Sequence, residues 1–192
     1  MTRLALLRHG HTPWNRAGRI QGRSDIALDA QARADLAKLR LPAPWSDARL
    51  WASPLSRATE TATLVAGRPP YETEALIEMH WGDWEGARSA DLHADPDADM
   101  RHIEDWGWHF RPPGGESPMD LRQRMQPWLA TLSGDNVAVC HIGVMRVLLA
   151  VAHGWTFSGP APFQIKRNRL YVIELTDPQT AWPEPVRLEP CS

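Results

Sequence analysis

Lysine is nearly missing from this chain. Only Lys38 and Lys166 carry it, although lysine and arginine together number 21 among 192 residues. Positive charge is therefore arginine: planar, permanently ionised and shaped to hold oxyanions in pairs of hydrogen bonds. It does not accumulate, because 23 acidic residues leave a formal net charge of −2. That balance excludes the strongly basic face of a nucleic-acid binder and a polybasic membrane anchor. Long apolar runs are also missing. No stretch approaches the roughly 20 residues of a membrane span, and the apolar start is too short for a signal peptide. Cysteine is scarce. Cys140 and Cys191 have no metal-ligand or redox spacing. Cys140 ends an apolar run and is expected to be buried, and a reducing cytoplasm with no disulfide is the expected setting. No carboxylate cage or Cys/His quartet calls for a metal, so no cofactor is expected.

What is present is ordinary globular material, 43% hydrophobic and 23% charged. The length suits one domain over 1–192. Leu4–Leu7 reads as a buried parallel strand. Asp29–Leu39 reads as a helix capped by Asp29. Arg49–Ala52 reads as a strand, followed by a helix opened by Ser53-Pro54 and running through Val65. Tyr71–Ile77 suggests another short strand. Gly86–Pro113, rich in Asp, His and Trp, has no clean period and reads as an excursion that shapes the substrate pocket. Ser117 to Asp120 resembles a capping box. Leu121, Met125, Trp128, Leu129 and Leu132 then share one helical face, and Pro127 should kink that helix. Asn136–Cys140 is a strand, Gly143 to about Ala152 a helix, and Leu170–Leu175 a strand. After Asp177 a proline-rich tail is expected to be irregular, with an edge strand at Val186–Leu188.

Strands alternating with helices predict a three-layer α/β/α sandwich with a mostly parallel central sheet. Ligands of such sheets bind beyond the carboxyl ends of the strands. Three polar clusters fall there: Arg8-His9-Gly10, Ser53 to Arg57, and His141-Ile142-Gly143. Two arginines and two histidines brought to one edge make a positive cavity for a small dianion. Helix N-termini would add N–H donors, and a neutral imidazole can attack phosphorus.

These clusters resemble the histidine phosphatase superfamily, the phosphoglycerate mutase-like family. Leu6-Leu7-Arg8-His9-Gly10-His11-Thr12-Pro13-Trp14-Asn15 with Gln21-Gly22 is similar to the opening signature. Ser53-Pro54-Leu55-Ser56-Arg57-Ala58 is similar to the second arginine motif, and Glu78 to Gly86 to the acid motif. Gly114-Gly115-Glu116-Ser117 is similar to a later turn, and His141 to Arg146 to the last histidine motif. The motifs come in the family's order. The resemblance implies His9 as nucleophile, Glu78 as general acid and then base, and Arg8, Arg57 and His141 as the grip on the phosphoryl oxygens. It places Asn15, Gln21, Gly22 and Ile142 on the substrate. His11 and Ile142 depart from the usual residues, an acid or glutamine and a glycine.

The expected function is a metal-independent phosphatase of a small phosphorylated metabolite, monomeric or homodimeric. Small bacterial members of similar size include α-ribazole phosphatases and broad-specificity phosphatases. Two alternatives stay open: a mutase, which would carry a longer insertion than this excursion, and a phospho-ligand binding module without chemistry. The His9-Gly10-His11 pattern of metal-dependent barrel hydrolases is set aside, because such barrels need about 250 residues. Glu74, Glu85 and Glu116 compete with Glu78 for the acid role. Arg146 reads as a support of the fold. Trp14, Trp81, Trp84, Trp106 and Trp108 read as core, with a pocket wall as the alternative.

Overall fold

The computed structural model describes residues 1–176 and 178–191. The Leu4–Leu7 run lies in β1 (Arg3–Arg8), whose four central side chains are essentially inaccessible. Such burial requires cover on both faces and both edges, and β1 has it. β5 (Asp135–Cys140) pairs with one edge in parallel, and β6 (Arg169–Glu174) with the other in antiparallel fashion. β3 (Arg49–Ala52) and β4 (Tyr71–Glu72) extend the parallel side. β7 (Thr180–Ala181) and β8 (Val186–Arg187) both pair antiparallel with β6. The order is β4-β3-β5-β1-β6-β7, with β8 off this path. β2 (Leu39–Arg40) and β9 (Glu189–Pro190) form a separate antiparallel pair.

Side-chain alternation along the strands divides the core in two. Leu4 and Leu6 join one cluster with α5 (Pro118–Leu129) and α6 (Ile142–His153). Ala5 and Leu7 join the other with α2 (Ala30–Leu36) and α3 (Ser56–Ala66). Helices thus cover both faces, giving the expected three layers and a mixed, mostly parallel sheet. α1 (Pro13–Arg16) and α4 (Ser89–Ala94) are short outliers.

Several local expectations need correction. α3 begins at Ser56, with Leu55 as its cap residue. Its free N-terminus is served from a distance, because Asp25 Oδ1 accepts from both the Ser56 N–H and hydroxyl. Ser53 instead continues the sheet, donating its N–H to the Val139 carbonyl. α2 keeps its Asp29 cap but stops at Leu36, and Leu39–Arg40 leaves to pair with the tail. Tyr71–Ile77 is strand only over its first two residues, then a 3-10 turn at Glu74–Leu76. The excursion carries α4 and a 3-10 turn at Pro96–Ala98. The tail is more ordered than expected, since β7, β8 and β9 all pair; Asp177, its expected start, lies outside the described residues. The Ser117–Asp120 capping box is formed, and α5 continues past Pro127 to Leu129. No described helix is long and apolar enough to cross a membrane.

Candidate active site

β1 delivers Arg8 and His9 to the edge of the sheet. His9 is held there by its N–H, which donates to the Cys140 carbonyl at 3.0 Å. Its ring Nδ1 lies 2.6 Å from the carbonyl oxygen of Gly10. A carbonyl can only accept, so Nδ1 carries the proton and the lone pair is left on Nε2. Burial, together with Arg57, Arg8 and Arg167, holds the His9 pKa well below the usual imidazole range. The ring is therefore neutral at pH 7. Gly10 packs closely: a Cβ there would lie 2.7 Å from Leu36 Cδ1, which would have to shift.

β3 and α3 place Arg57, and β5 and α6 place His141, both fully inaccessible. Arg57 lies on the buried stripe of α3 beside Ala58, Thr61, Ala62 and Val65. Its Nη1 and Nη2 donate to the carbonyls of Ser24 and Gly22, and its Nε donates to His141 Nδ1 at 3.3 Å. Because that nitrogen accepts, the proton of neutral His141 sits on Nε2. Burial, with His9, Arg57 and Arg8 nearby, keeps His141 neutral as well. The two rings lie 5.1 Å apart between centroids. They hold opposite tautomers: one presents a lone pair on Nε2, the other an N–H.

Three buried donor nitrogens of this neighbourhood have no partner: Arg8 Nε, His141 Nε2 and Gln21 Nε2. Unpaired buried donors are costly unless a ligand serves them. Arg8 and Gln21 line a cavity of about 130 Å³ with His9, Asn15, Glu78 and Ile142. A tetrahedral oxyanion matches the donors in size and charge.

Glu78 is the carboxylate in this cavity, and it is 2% exposed. Oε1 accepts from the Met79 N–H and Oε2 from the Gly143 N–H at the start of α6. Burial pushes its pKa up, against those hydrogen bonds and the charges of Arg57 and Arg8. Its competitors are engaged elsewhere. Glu85 accepts from the Ser24 N–H. Glu116 ties Arg124, Arg23 and the His80 N–H together, and so steadies the chain just after Glu78. Glu74 begins a 3-10 turn.

The remaining expected residues divide. Asn15 and Gln21 line the cavity and hydrogen-bond each other, Asn15 Nδ2 donating to Gln21 Oε1 at 3.1 Å. Gly22 does not line it. Its carbonyl receives Arg57, and a Cβ would crowd Trp81, Glu85 and Met79. Ile142 lines it, and the close backbone approach falls on the next residue. A Cβ at Gly143 would stand 2.4 Å from Glu78 Oε1.

Sequence reasoning missed two arginines. Arg19 lines the cavity and donates to the Gly86 carbonyl. Arg167 donates from Nε to the His9 carbonyl at 3.1 Å and from Nη2 to Asn15 Oδ1 at 2.9 Å. Burial, with Arg8 and Arg16 nearby, lowers its pKa to about 9. Burial likewise lowers Arg8 to about 10. Of the tryptophans, Trp81 lines the cavity. Trp106 packs behind it in the core at 5.6 Å, and Trp108 packs on Phe157. Among the described residues, no group of three or more His, Cys, Asp or Glu side chains is placed to hold a metal ion.

Comparison with known proteins identifies the family. The chain is similar to the glucosyl-3-phosphoglycerate phosphatase of Mycolicibacterium vanbaalenii, 32% identical over 157 residues that cover 79% of this chain and 69% of that one. It is similar to the 2,3-bisphosphoglycerate-dependent phosphoglycerate mutase of Methylobacterium sp. (strain 4-46), 33% identical over 170 residues, 80% of this chain and 81% of that one. Among solved structures it resembles the phosphoglycerate mutase of Thermus thermophilus, with a TM-score of 0.75 and 32% identity over 97% of this chain and 98% of the other. Residues 4–184 match the histidine phosphatase superfamily (branch 1), and the chain belongs to that family.

Proposed function

We propose that the chain hydrolyses phosphomonoesters of small metabolites through a phosphohistidine on His9, without a metal. The observation that carries this reading is the pair of opposed tautomers. His9 offers a lone pair on Nε2, and His141, 5.1 Å away between ring centroids, offers an unpaired buried N–H. In the first step His9 Nε2 bonds to phosphorus and the ester P–O bond breaks. Glu78, whose pKa burial raises, gives a proton to the departing alkoxide. In the second step water attacks the phosphohistidine and gives a proton to the Glu78 carboxylate. The P–N bond breaks, and inorganic phosphate leaves. Arg8, Arg57 and His141 hold the oxygens through both steps, where preorganised charge is worth most. Asn15 and Gln21 orient the ester.

The test is brief incubation with ³²P-labelled substrate. The wild type should carry acid-labile, base-stable label and release inorganic phosphate, with turnover persisting in EDTA. His9→Ala should fold and carry no label. Undiminished labelling of that variant would remove His9 from the role. Loss of turnover in EDTA that zinc or manganese restores would require a metal.

A further inference from the structure

Beside the His9 cavity lies a second, larger one of about 240 Å³. Ile142 lines both. The walls of the second are mainly apolar: Ile103, Ile142, Trp155, Phe163 and Ile165. It holds a single cationic side chain, Arg146, one turn beyond Ile142 on α6. Four residues of helix separate the two positions by about 6 Å along the axis. Arg146 forms no hydrogen bond or salt bridge among the described residues. Other arginines of this chain, such as Arg3, Arg33 and Arg124, are paired with carboxylates. The one acid in the cavity, Glu104, is exposed and makes no ion pair with Arg146. Arg146 is half-buried at this wall and has no carboxylate partner, so a ligand anion can pair with it without displacing one. Arg146 does not serve as a salt-bridge support of the fold.

Building on the phosphatase reading, we propose that this cavity holds the leaving group of the substrate, a small apolar or aromatic body ending in a carboxylate that pairs with Arg146. The phosphoryl group sits at the start of α6, among His9, Arg8 and His141. The ester then passes over Ile142, and the body lies between the isoleucines and the rings of Trp155 and Phe163. A benzene ring with a para carboxylate has about the reach that one helical turn demands. The volume is below the roughly 300–1,000 Å³ of drug-sized sites, which suits one ring. Arg146 also interacts through space with Glu78 and Arg8, so its charge stands within range of the phosphoryl pocket.

The experiment compares 4-carboxyphenyl phosphate with its neutral isostere, 4-carbamoylphenyl phosphate. Their phosphonate analogues, which cannot be hydrolysed, are titrated calorimetrically against the same proteins. The wild type should favour the carboxylate about 10–100-fold, in kcat/KM and in Kd, as expected for charge-assisted hydrogen bonds. In Arg146→Gln that ratio should fall towards one, mainly through KM. Arg146→Lys should restore part of it. A wild-type ratio near one, or an unchanged ratio in Arg146→Gln with both esters slowed in parallel, overturns the subsite and leaves Arg146 acting on Glu78 or on the fold. If neither ester is turned over but the phosphonate ratio behaves as expected, the phosphatase reading fails and the subsite stands.

Discussion

The two histidines of the site have the same side chain and are set to opposite tasks by a single neighbour each. The Gly10 carbonyl fixes the His9 tautomer, and the Arg57 guanidinium fixes that of His141. Both imidazoles are held neutral by burial among cations. Folding therefore weakens as the solution is acidified: the depressed folded pKa values mean that the unfolded chain binds more protons. That contribution is intact above about pH 6.5 and is lost as pH falls from there through the folded values. Thermal melts between pH 7 and 5 should show a falling Tm, with a flatter slope in His141→Asn; an identical slope would mean that His141 is not buried in its neutral form. Glu78 has the opposite sign, since its folded pKa is raised and the proton it needs is present only below that value. Turnover of an alkyl phosphate should therefore decline along an alkaline limb that starts above the ordinary carboxylate range. Glu78→Gln should remove the limb and slow the alkyl ester by about 10²–10⁴. Nitrophenyl phosphate, whose leaving group departs without a proton, should be slowed much less. Equal slowing of the two esters would make Glu78 structural.

At the scale of elements, geometry that links two segments was the part hidden from the sequence. Strands β1 and β5 were legible because burial on both faces leaves an unbroken apolar run, whereas β3 buries only Leu50 and Ala52 in alternation. The start of α3 was not, because its N-terminus is satisfied by Asp25, 31 residues away, and no local spacing encodes such a cap. Arg57 carried a usable signal, an arginine within the stripe of small buried residues on α3. The resemblance marks Ile142 as a departure from the usual glycine, and the close backbone contact falls on the next residue, where the helix start meets Glu78 at Gly143. Gly143→Ala should fold and displace the Glu78 carboxylate, lowering kcat for alkyl phosphates by at least tenfold while nitrophenyl phosphate suffers less. Parallel loss on both esters would place the damage in the phosphate grip instead. The Ser117–Asp120 box was readable directly. Ser117→Ala should cost about 1 kcal/mol and lower Tm by roughly 2–4 °C, which calorimetry can measure.

For the whole molecule, β6 explains why one side of the site escaped notice. Sheets of parallel strands present ligands at carboxyl ends, and the three polar clusters were found by that rule. β6 runs the other way, pairing Leu170 with Leu7, so the residues before it arrive at the same edge. Arg167 reaches His9 and Asn15 from there, its loop pinned by the Tyr171 hydroxyl, which donates to the Gln164 carbonyl and accepts from the Lys166 N–H. Arg167→Met should raise KM and lower kcat on every phosphate ester without regard to the leaving group. A change confined to one ester would detach Arg167 from the phosphoryl pocket. The pairing of β1 also has a consequence for how the chain is made. Both of its neighbours, β5 and β6, lie more than 120 residues further along. As the polypeptide emerges during synthesis, the first strand waits with both hydrogen-bonding edges open. Contacts of such long sequence separation slow folding, and unpaired apolar edges invite other chains. β1, which ends immediately before His9, therefore stays unsheltered at both edges until β5 and β6 have been made.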